Sequence, residues 1–338
     1  MASENFFADN ADLKFCMEKM VAWDRIIALK EHIGAEDCPY STPEEAIQTY
    51  LSMLEDPIGS LAAQRIAPRA VEVDDTGCQF KDGQVIFPEG LQRNLKDLRD
   101  AQLMGLTSPA KYGGLNLPQT FYIAAIEIIS RADASLMNFF GLQGGIAETI
   151  EHFGSDELKA KYLPGMATGE MTGAMALTEP DAGSDLANVQ TRAGGMEAMQ
   201  DPVTGAWKVS GTKRFITNGC GDVILVLARS EDPDKKSGGR GLSFFLVEKG
   251  PQVVVRRIED KLGIHGSPTC ELYFDNAPGY LIGKRGMGLA RYTSWLMLAA
   301  RLAVAAQAQG ISEAALQAAR KYADEREQFG KPIRQFPQ

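Results

Sequence analysis

Cysteine is scarce in this sequence, and what there is lacks pattern. Five cysteines, Cys16, Cys38, Cys78, Cys220 and Cys270, are spread over 338 residues with no C-x-x-C pair. That set argues against a disulfide framework or a zinc site and suits a reducing compartment. Histidine is scarcer still: only His32, His152 and His265 are present, too few to supply a metal centre or a histidine-based triad easily. Positive charge is also short. The net charge is −9 and no basic cluster stands out, which excludes nucleic acid as an expected partner. No apolar run approaches the about 20 residues that a membrane span needs. The first residues have neither a basic start nor an apolar stretch behind it, so no signal peptide is expected and the reading is a soluble, cytoplasmic protein. There is no G-x-G-x-x-G after a strand, no G-x-x-x-x-G-K-[ST], no H-E-x-x-H and no G-x-S-x-G.

What remains is an ordinary globular composition, 44% hydrophobic and 23% charged, in a chain long enough for two or three domains. Apolar residues recur at helical spacing through LKFCMEKMVAWDRIIALKEHI and YIAAIEIISRADASLMNFFGL, so residues 10–150 read mostly as helix. Two short strand-like pieces interrupt at 74–90, and PAKYGGLNLPQT (109–120) is a Gly/Pro break. From about 171 the period changes. MTGAMAL, WKVSGTKRFIT, DVILVLARS, GLSFFLVEK, QVVVRRIE and CELYFDN are short runs rich in β-branched and aromatic residues, separated by turn residues. They predict an antiparallel sheet or barrel, and the absence of β-α-β alternation counts against a Rossmann domain. After Gly288 the chain is Ala-rich and helix-favouring almost to its last residues. A single long helix with an apolar face is expected to find nothing within the chain to pack on, which suggests one part of a helix bundle.

Three stretches carry candidate chemistry. ALTEPDAGSD (176–185) ends a strand in hydroxyls, a proline and a glycine. Pro180 fixes a turn, Gly183 lets backbone approach a ligand and Ser184 offers a hydroxyl to a phosphate or amide. Such a tip suits a flat polar ring with a pyrophosphate tail; it is equally a well-made turn. KRFITNG (213–219) ends a second strand with an aromatic and a hydroxyl, able to cover one face of a flat ring; an ordinary core Phe215 with an Asn218-Gly219 turn is the plain alternative. KLGIHGSPTCEL (261–272) is a Gly/Ser/Pro loop whose His265 either meets a ligand or faces solvent.

Taken in order, MALTEPDAGSD, KRFITNG, KLGIHGSPTCELYF, RLAVAAQAQGISEAAL and YADEREQFGKPI resemble the motifs of the acyl-CoA dehydrogenase family. The resemblance covers nearly all of the chain after about residue 60, and extra helices before it resemble those of larger bacterial members. It implies an α+β fold: an N-terminal helical extension (1–60), an N-terminal helical domain (61–170), a middle antiparallel β-barrel (171–284) and the first part of a C-terminal four-helix bundle (285–338), with the last two motifs as its first helical segments. It implies FAD and an acyl-CoA thioester. Position by position, Met175, Ala176, Leu177 and Thr178 would line the flavin, Gly183 and Ser184 would approach flavin and substrate tails, and Phe215, Ile216 and Thr217 would cover the other side of the ring. Arg326, with Gln328 and Phe329 beside it, matches the arginine that reaches the FAD pyrophosphate of a neighbouring subunit, and Arg301 matches one near the substrate. The implied reaction removes an α-proton to a carboxylate and passes hydride from the β-carbon to flavin N5, electrons going on to an electron-transfer flavoprotein from a homodimer or homotetramer. The carboxylate is missing. One subgroup places glutamate just before the position of Arg301, where this chain has Ala300; the other family glutamate falls beyond residue 338. No catalytic residue is therefore named, and the sequence is expected to be part of a longer protein. An acyl-CoA oxidase, a flavin monooxygenase of the same fold, a non-catalytic flavin- or acyl-CoA-binding protein and a purely structural helical protein with an inserted barrel are the competing readings.

Overall fold

The computed structural model describes residues 4–35, 38–193, 205–231 and 237–337. Nine helices and eleven strands occur among them. The helices are α1 (Ala11–Phe15), α2 (Trp23–Lys30), α3 (Pro43–Met53), α4 (Ala70–Thr76), α5 (Glu89–Asp100), α6 (Gln119–Ala132), α7 (Ala134–Phe153), α8 (Asp156–Thr168) and α9 (Ser294–Glu325). The strands are β1 (Gln79–Lys81), β2 (Gln84–Ile86), β3 (Gly173–Ala176), β4 (Arg192–Ala193), β5 (Trp207–Thr217), β6 (Val223–Arg229), β7 (Leu242–Glu248), β8 (Val253–Ile258), β9 (Thr269–Ile282), β10 (Glu327–Gln328) and β11 (Lys331–Pro332). The chain divides into two compact units. One comprises Met1–Pro68, Ile123–Ala134 and Val304–Gln338, the other Arg69–Tyr122 and Ser135–Ala303. Among the described residues no helix is long and apolar enough to cross a membrane.

The first unit is helical. Thr42 caps α3 by accepting from Glu45 N (3.2 Å) while Glu45 accepts from Ser41 N, with Pro43 in the first turn, so the local sequence alone sets where that helix starts. The Tyr50 hydroxyl of α3 donates to Glu31 just after α2, and the Trp23 and Tyr50 rings meet at 5.7 Å, holding α2 and α3 together, while Trp23 Nε1 donates to Met17 O (2.6 Å) in the segment before α2. Arg131 forks onto both oxygens of Asp9 (2.6 and 2.8 Å) and stacks over Phe6, tying the N-terminal segment to α6.

The second unit is built on a barrel. Strands β6, β4, β5, β9 and β7 pair in that order and β7 pairs back to β6, closing the ring. The six expected strand runs all form strands. The pairing differs from a purely antiparallel barrel: β3 and β4 occupy one edge of β6 in succession, and both run parallel to it. β9 is longer than its sequence run because its first half bears β8 and its second half pairs with β7. Every residue of β6 is buried, and Leu225, Leu227, Phe244 and Leu246 pack with Ile146, Ile150 and Tyr162 from α7 and α8. Continuous apolar runs such as DVILVLA follow from that two-sided burial.

Two expectations about the last segment need correction. α9 does find partners. In the second unit its first turn packs on α7, with Leu296 against Gly145, and Tyr292 just before the helix packs against Phe153. In the first unit Gln307 Nε2 donates to Ala134 O (2.9 Å), and Ala306 and Gly310 are buried on the same side. The rest of α9 carries exposed Leu298, Leu302, Val304, Ile311, Leu316 and Tyr322, and these apolar residues were what hid the packed side from the sequence pattern. YADEREQFGKPI is not a second helical segment. Its first residues end α9, and the rest turns through Phe329-Gly330, both at positive φ, to form the β10–β11 hairpin.

At Gly310 the backbones of α6 and α9 nearly touch: a Cβ there would lie 2.4 Å from Glu127 O and 2.8 Å from Arg131 N. Gly310→Val is therefore expected to lower the unfolding free energy by about 2 kcal/mol or more, measured by urea denaturation. Exposed Ile311→Ala, one residue on, should cost under about 0.5 kcal/mol. Equal effects at the two positions would contradict this packing.

Candidate functional site

The two strand tips singled out in the sequence lie side by side in the barrel unit. β3 buries Ala174 and Ala176 in the wall and leaves Met175 half-buried. Leu177 is still buried, Thr178 is half-exposed, and the chain then reverses through Pro180-Asp181, closed by Glu179 N to Ala182 O (2.8 Å) and Ala182 N to Glu179 O (3.2 Å). Proline suits the second position of such a turn. Gly183 and Ser184 follow, both exposed, and a Cβ on Gly183 would meet only Thr178 Cγ2, at 3.7 Å. The turn and the ligand readings of EPDAGSD are thus compatible: the turn is what presents Thr178, Gly183 and Ser184 together.

The second tip is shaped by a β-bulge. The register of β5 against β9 slips between Lys213 and Ile216, and inside the slip Phe215 takes φ 61°. An extra residue in the left-handed region throws its side chain out of the pleat. Phe215 is 54% exposed, not an ordinary core phenylalanine, and the Arg214 guanidinium sits 4.8 Å from its ring centroid. Ile216 returns to the core and Thr217 is half-buried. Asn218, at φ 51°, and Gly219 make the turn expected for that pair, with Gly219 N donating to Ile216 O at 3.1 Å.

A buried ion pair that the sequence reading missed locks the tips to each other. Lys213, fully buried, donates to Leu177 O (2.9 Å) and to Glu179 Oε1 (2.8 Å). Glu179 is buried as well, and its carboxylate also accepts from Gln190 N (2.6 Å) and Thr191 N (2.9 Å). Burial alone would raise the Glu179 carboxyl; the Lys213 charge and these hydrogen bonds outweigh it and hold it below its ordinary range. Burial pushes the Lys213 ammonium down to about 8, opposed by the same carboxylate. Arg214 N donates to Thr178 O (2.9 Å), and Asn218 Nδ2 donates to Gly173 O (3.0 Å). The sequence did carry a signal: Trp207, Val209 and Lys213 fall on one phase of strand alternation, so the lysine points inward where only a partnered charge is tolerated.

The third stretch, 261–272, does not present His265 as a free ligand group. His265 N donates to Asp74 Oδ1 (2.9 Å), Nε2 contacts Lys261 O (2.8 Å) and Nδ1 lies 3.2 Å from Asp74 Oδ1. The histidine latches the end of α4 to the loop that leads into β9. The Lys261 carbonyl, and then the Asp74 carboxylate, raise its pKa above the ordinary 6.5. The His265 amide and ring in turn lower Asp74.

The remaining candidates lie on α9 and on the segment that follows it. Arg301 is on α9, exposed, in the barrel unit, with Ala300 half-buried before it. Arg326, Gln328 and Phe329 belong to the other unit. The Arg326 backbone carbonyl accepts from Ile333 N (2.8 Å) at the β10–β11 hairpin, Gln328 is in β10, and Phe329 stands 94% exposed at the hairpin turn.

Comparison with known proteins gives a consistent result. Models of the acyl-CoA dehydrogenase N-terminal, middle and C-terminal domains match residues 50–170, 174–277 and 285–338. The chain is 37% identical over 331 residues to a 3-methylmercaptopropionyl-CoA dehydrogenase of Ruegeria pomeroyi, covering 93% of this chain and 53% of that protein. It is 37% identical over 286 residues to an acyl-CoA dehydrogenase of Bacillus subtilis, covering 83% and 70%. A solved structure described as an electron transferring flavoprotein of Acidaminococcus fermentans contains a chain similar at TM-score 0.74 and 35% identity, covering 86% of this chain and 71% of that one. The chain thus spans about half the length of the Ruegeria relative.

Two measurements test the geometry itself. Lys213→Met leaves the Glu179 carboxylate buried without its cation, and the expected loss is about 3–5 kcal/mol of unfolding free energy. Adding Glu179→Gln should recover part of that loss, because the amide oxygen still accepts a backbone N–H. A loss under about 1 kcal/mol for Lys213→Met would contradict the role given to the pair. The His265–Asp74 latch has a defined pH sign. A raised histidine contributes stability that is complete below pH 6.5, its unfolded value, and is lost as pH rises through the higher folded value. Urea midpoints should therefore fall on going from below 6.5 to alkaline pH, and Asp74→Asn should flatten that part of the profile.

Proposed function

The chain belongs to the acyl-CoA dehydrogenase family, and from that membership we propose that its protein oxidises an acyl-CoA thioester between the α and β carbons, with FAD as cofactor. The observation that carries the reading is the pair of stitched tips: a half-exposed threonine, Thr178, beside a bulge that turns an aromatic ring, Phe215, out of the barrel wall. An exposed aromatic and a hydroxyl at fixed separation fit a flat ring with a polar edge, and the exposed Gly183 and Ser184 fit the approach of a polar tail.

In this reading Met175 to Thr178 line one side of the flavin, with the Thr178 hydroxyl and neighbouring amides toward its polar edge. Phe215, Ile216 and Thr217 wall the other side. Gly183 and Ser184 approach the tails, Arg301 lies toward the CoA chain, and Arg326, Gln328 and Phe329 reach the pyrophosphate held by a second copy in a dimer or tetramer. FAD, when bound, supplies the two-electron acceptor that the protein lacks. The chain's own part is to hold that ring rigidly: Thr178 O is tied to Arg214 N, and Leu177 O to buried Lys213. Ala300 has no proton-accepting group, so no residue of this chain is assigned as the base for the α-proton. The electron-transfer flavoprotein as acceptor, a place in fatty-acid β-oxidation, a cytoplasmic location and the division at 1–60, 61–170, 171–284 and 285–338 are parts of the same proposal. The flavoprotein named for the Acidaminococcus structure supports the acceptor.

The test is flavin titration of the full-length protein, followed by fluorescence. Thr178→Val removes one hydrogen bond, worth about 0.5–1.5 kcal/mol, and should weaken FAD binding roughly threefold to tenfold. Phe215→Ala removes an aromatic wall and should weaken it by about tenfold or more. A protein that binds no FAD, or two variants that bind it as well as the parent, would overturn the reading. Fast reoxidation of the acyl-CoA-reduced protein by oxygen would replace the dehydrogenase with an oxidase or monooxygenase.

A further inference from the structure

The bulge that turns Phe215 out of the barrel wall holds two residues, Arg214 and Phe215, and one residue of β9 stands opposite both. Lys213 is in register with Leu272 and Ile216 with Cys270, so the two residues between them face Glu271 alone. On its other side Glu271 is in register with Arg257 of β8. Arg214, Glu271 and Arg257 therefore form a row of alternating charge across three strands. Glu259, just past the end of β8, completes it. Its carboxylate accepts from Arg214 Nε at 3.0 Å and lies 3.5 Å from Arg257 Nη2. Glu271 lies 3.0 Å from Arg257 Nη2, 4.0 Å from Arg214 Nε and 3.7 Å from Arg256 Nη1. Both carboxylates are largely enclosed, with side chains 15% and 16% exposed, so these pairs are screened less than pairs on an open surface.

That row fixes the Arg214 guanidinium, and the guanidinium lies against Phe215, its carbon 4.8 Å from the ring centroid. The main chain anchors both ends of the clamp. Arg214 N donates to Thr178 O (2.9 Å), and Glu259 N donates to Thr269 O (2.8 Å). Phe215 has little else to hold it: the side chain is exposed, and among the described residues no aromatic ring stacks on it. An exposed side chain hops between rotamers in picoseconds to nanoseconds unless a neighbour favours one. A planar cation over the ring face is such a neighbour, and arginine can stack on a ring and pair with carboxylates at the same time. A plain surface arginine would be paired through its charge alone; Arg214 is paired through its charge and stacked on a ring.

We propose that Arg214 is a positioning residue: clamped by Glu259 and Glu271, it holds the Phe215 ring in one pose, and that pose is the one in which the ring walls the flavin. The second half rests on the function proposed above; the first does not. Arg214 acts through Phe215 and is given no contact with the cofactor. Its effect is preorganisation. A ring already held in its binding pose loses no rotamer freedom when the cofactor arrives, whereas a free one does. The division of labour follows: Phe215 supplies the contact area, Arg214 sets the ring, and Glu259 and Glu271 set Arg214.

The experiment places para-fluorophenylalanine at position 215 of the full-length protein, reads its fluorine NMR resonance without FAD, and then titrates FAD. Arg214→Gln keeps the main-chain N–H that reaches Thr178 O and removes the cation. Its fluorine resonance should move toward that of the free amino acid, and FAD affinity should fall roughly threefold to tenfold. Glu259→Gln loosens the guanidinium without altering residue 214, and should move both readings in the same direction. The Phe215→Ala background separates positioning from general damage: there Arg214→Gln should weaken FAD binding by less than about twofold. A fluorine resonance that neither substitution moves, or an equal loss of FAD affinity with and without the Phe215 ring, would overturn the proposal. A parent protein that binds no FAD overturns the function proposed above and the cofactor half of this inference with it; the fluorine resonance of the FAD-free protein still decides whether Arg214 holds the ring.

Discussion

A lysine with no solvent exposure sits in the barrel wall, and its pairing with Glu179 is the constraint on which the site depends. Neither group is tolerable alone. A buried ammonium and a buried carboxylate each cost several kcal/mol unless they face one another and fill their remaining hydrogen-bonding capacity. Both conditions hold: Lys213 donates to Leu177 O and to Glu179, and Glu179 accepts from two consecutive backbone amides, at Gln190 and Thr191. The pair therefore fixes three stretches that are far apart in sequence: the end of β3, the chain entering β4, and the bulged part of β5. A hydrophobic substitute for the pair could fill the volume but would leave the amides of 190 and 191 and the carbonyl of 177 unpaired.

The bulge at Phe215 depends on that anchor. A phenylalanine at positive φ is strained, by roughly 1–3 kcal/mol, and persists only where its surroundings determine it. Here Lys213 is pinned on one side, Arg214 N is held by Thr178 O, and Ile216 is drawn back into the core beside Cys270. With both neighbours fixed, the intervening residue has only the outward direction left. The aromatic ring is exposed because the charged residue two positions earlier is buried, and the two facts have one cause.

Much of this was legible in the sequence, and the parts that were not have physical reasons. The six barrel strands were visible from β-branched runs and turn residues, and the two tips from hydroxyls and glycine at strand ends. Parallel pairing of β3 and β4 to β6 was not visible, because alternation and turn chemistry say nothing about which strand lies beside which. The packed side of α9 was masked by apolar residues on its other sides, so the hydrophobic period alone could not say which alanines face α6 and α7. The β10–β11 hairpin was read as helix because YADERE is a strong helix former; Phe329-Gly330 at positive φ overrides it. Lys213 lay on the inward phase of β5, but a partner 34 residues away cannot be found from spacing. His265 illustrates the reverse case: a loop histidine offered as a ligand group is spent on Asp74 and on its own loop.

The tip at 213–219 is thus held from two directions by contacts of different chemical kinds. Toward β3 the hold is ionic and fully buried, at Lys213. Toward β9 it runs through Ile216, which pairs in register with Cys270, and through the Asn218-Gly219 turn, where a Cβ on Gly219 would lie 2.8 Å from Cys270 Cβ. The first contact is a charged pair, and the second is apolar packing with backbone pairing. Whatever binds against Phe215 and Thr217 therefore meets a surface whose β3 side is rigid.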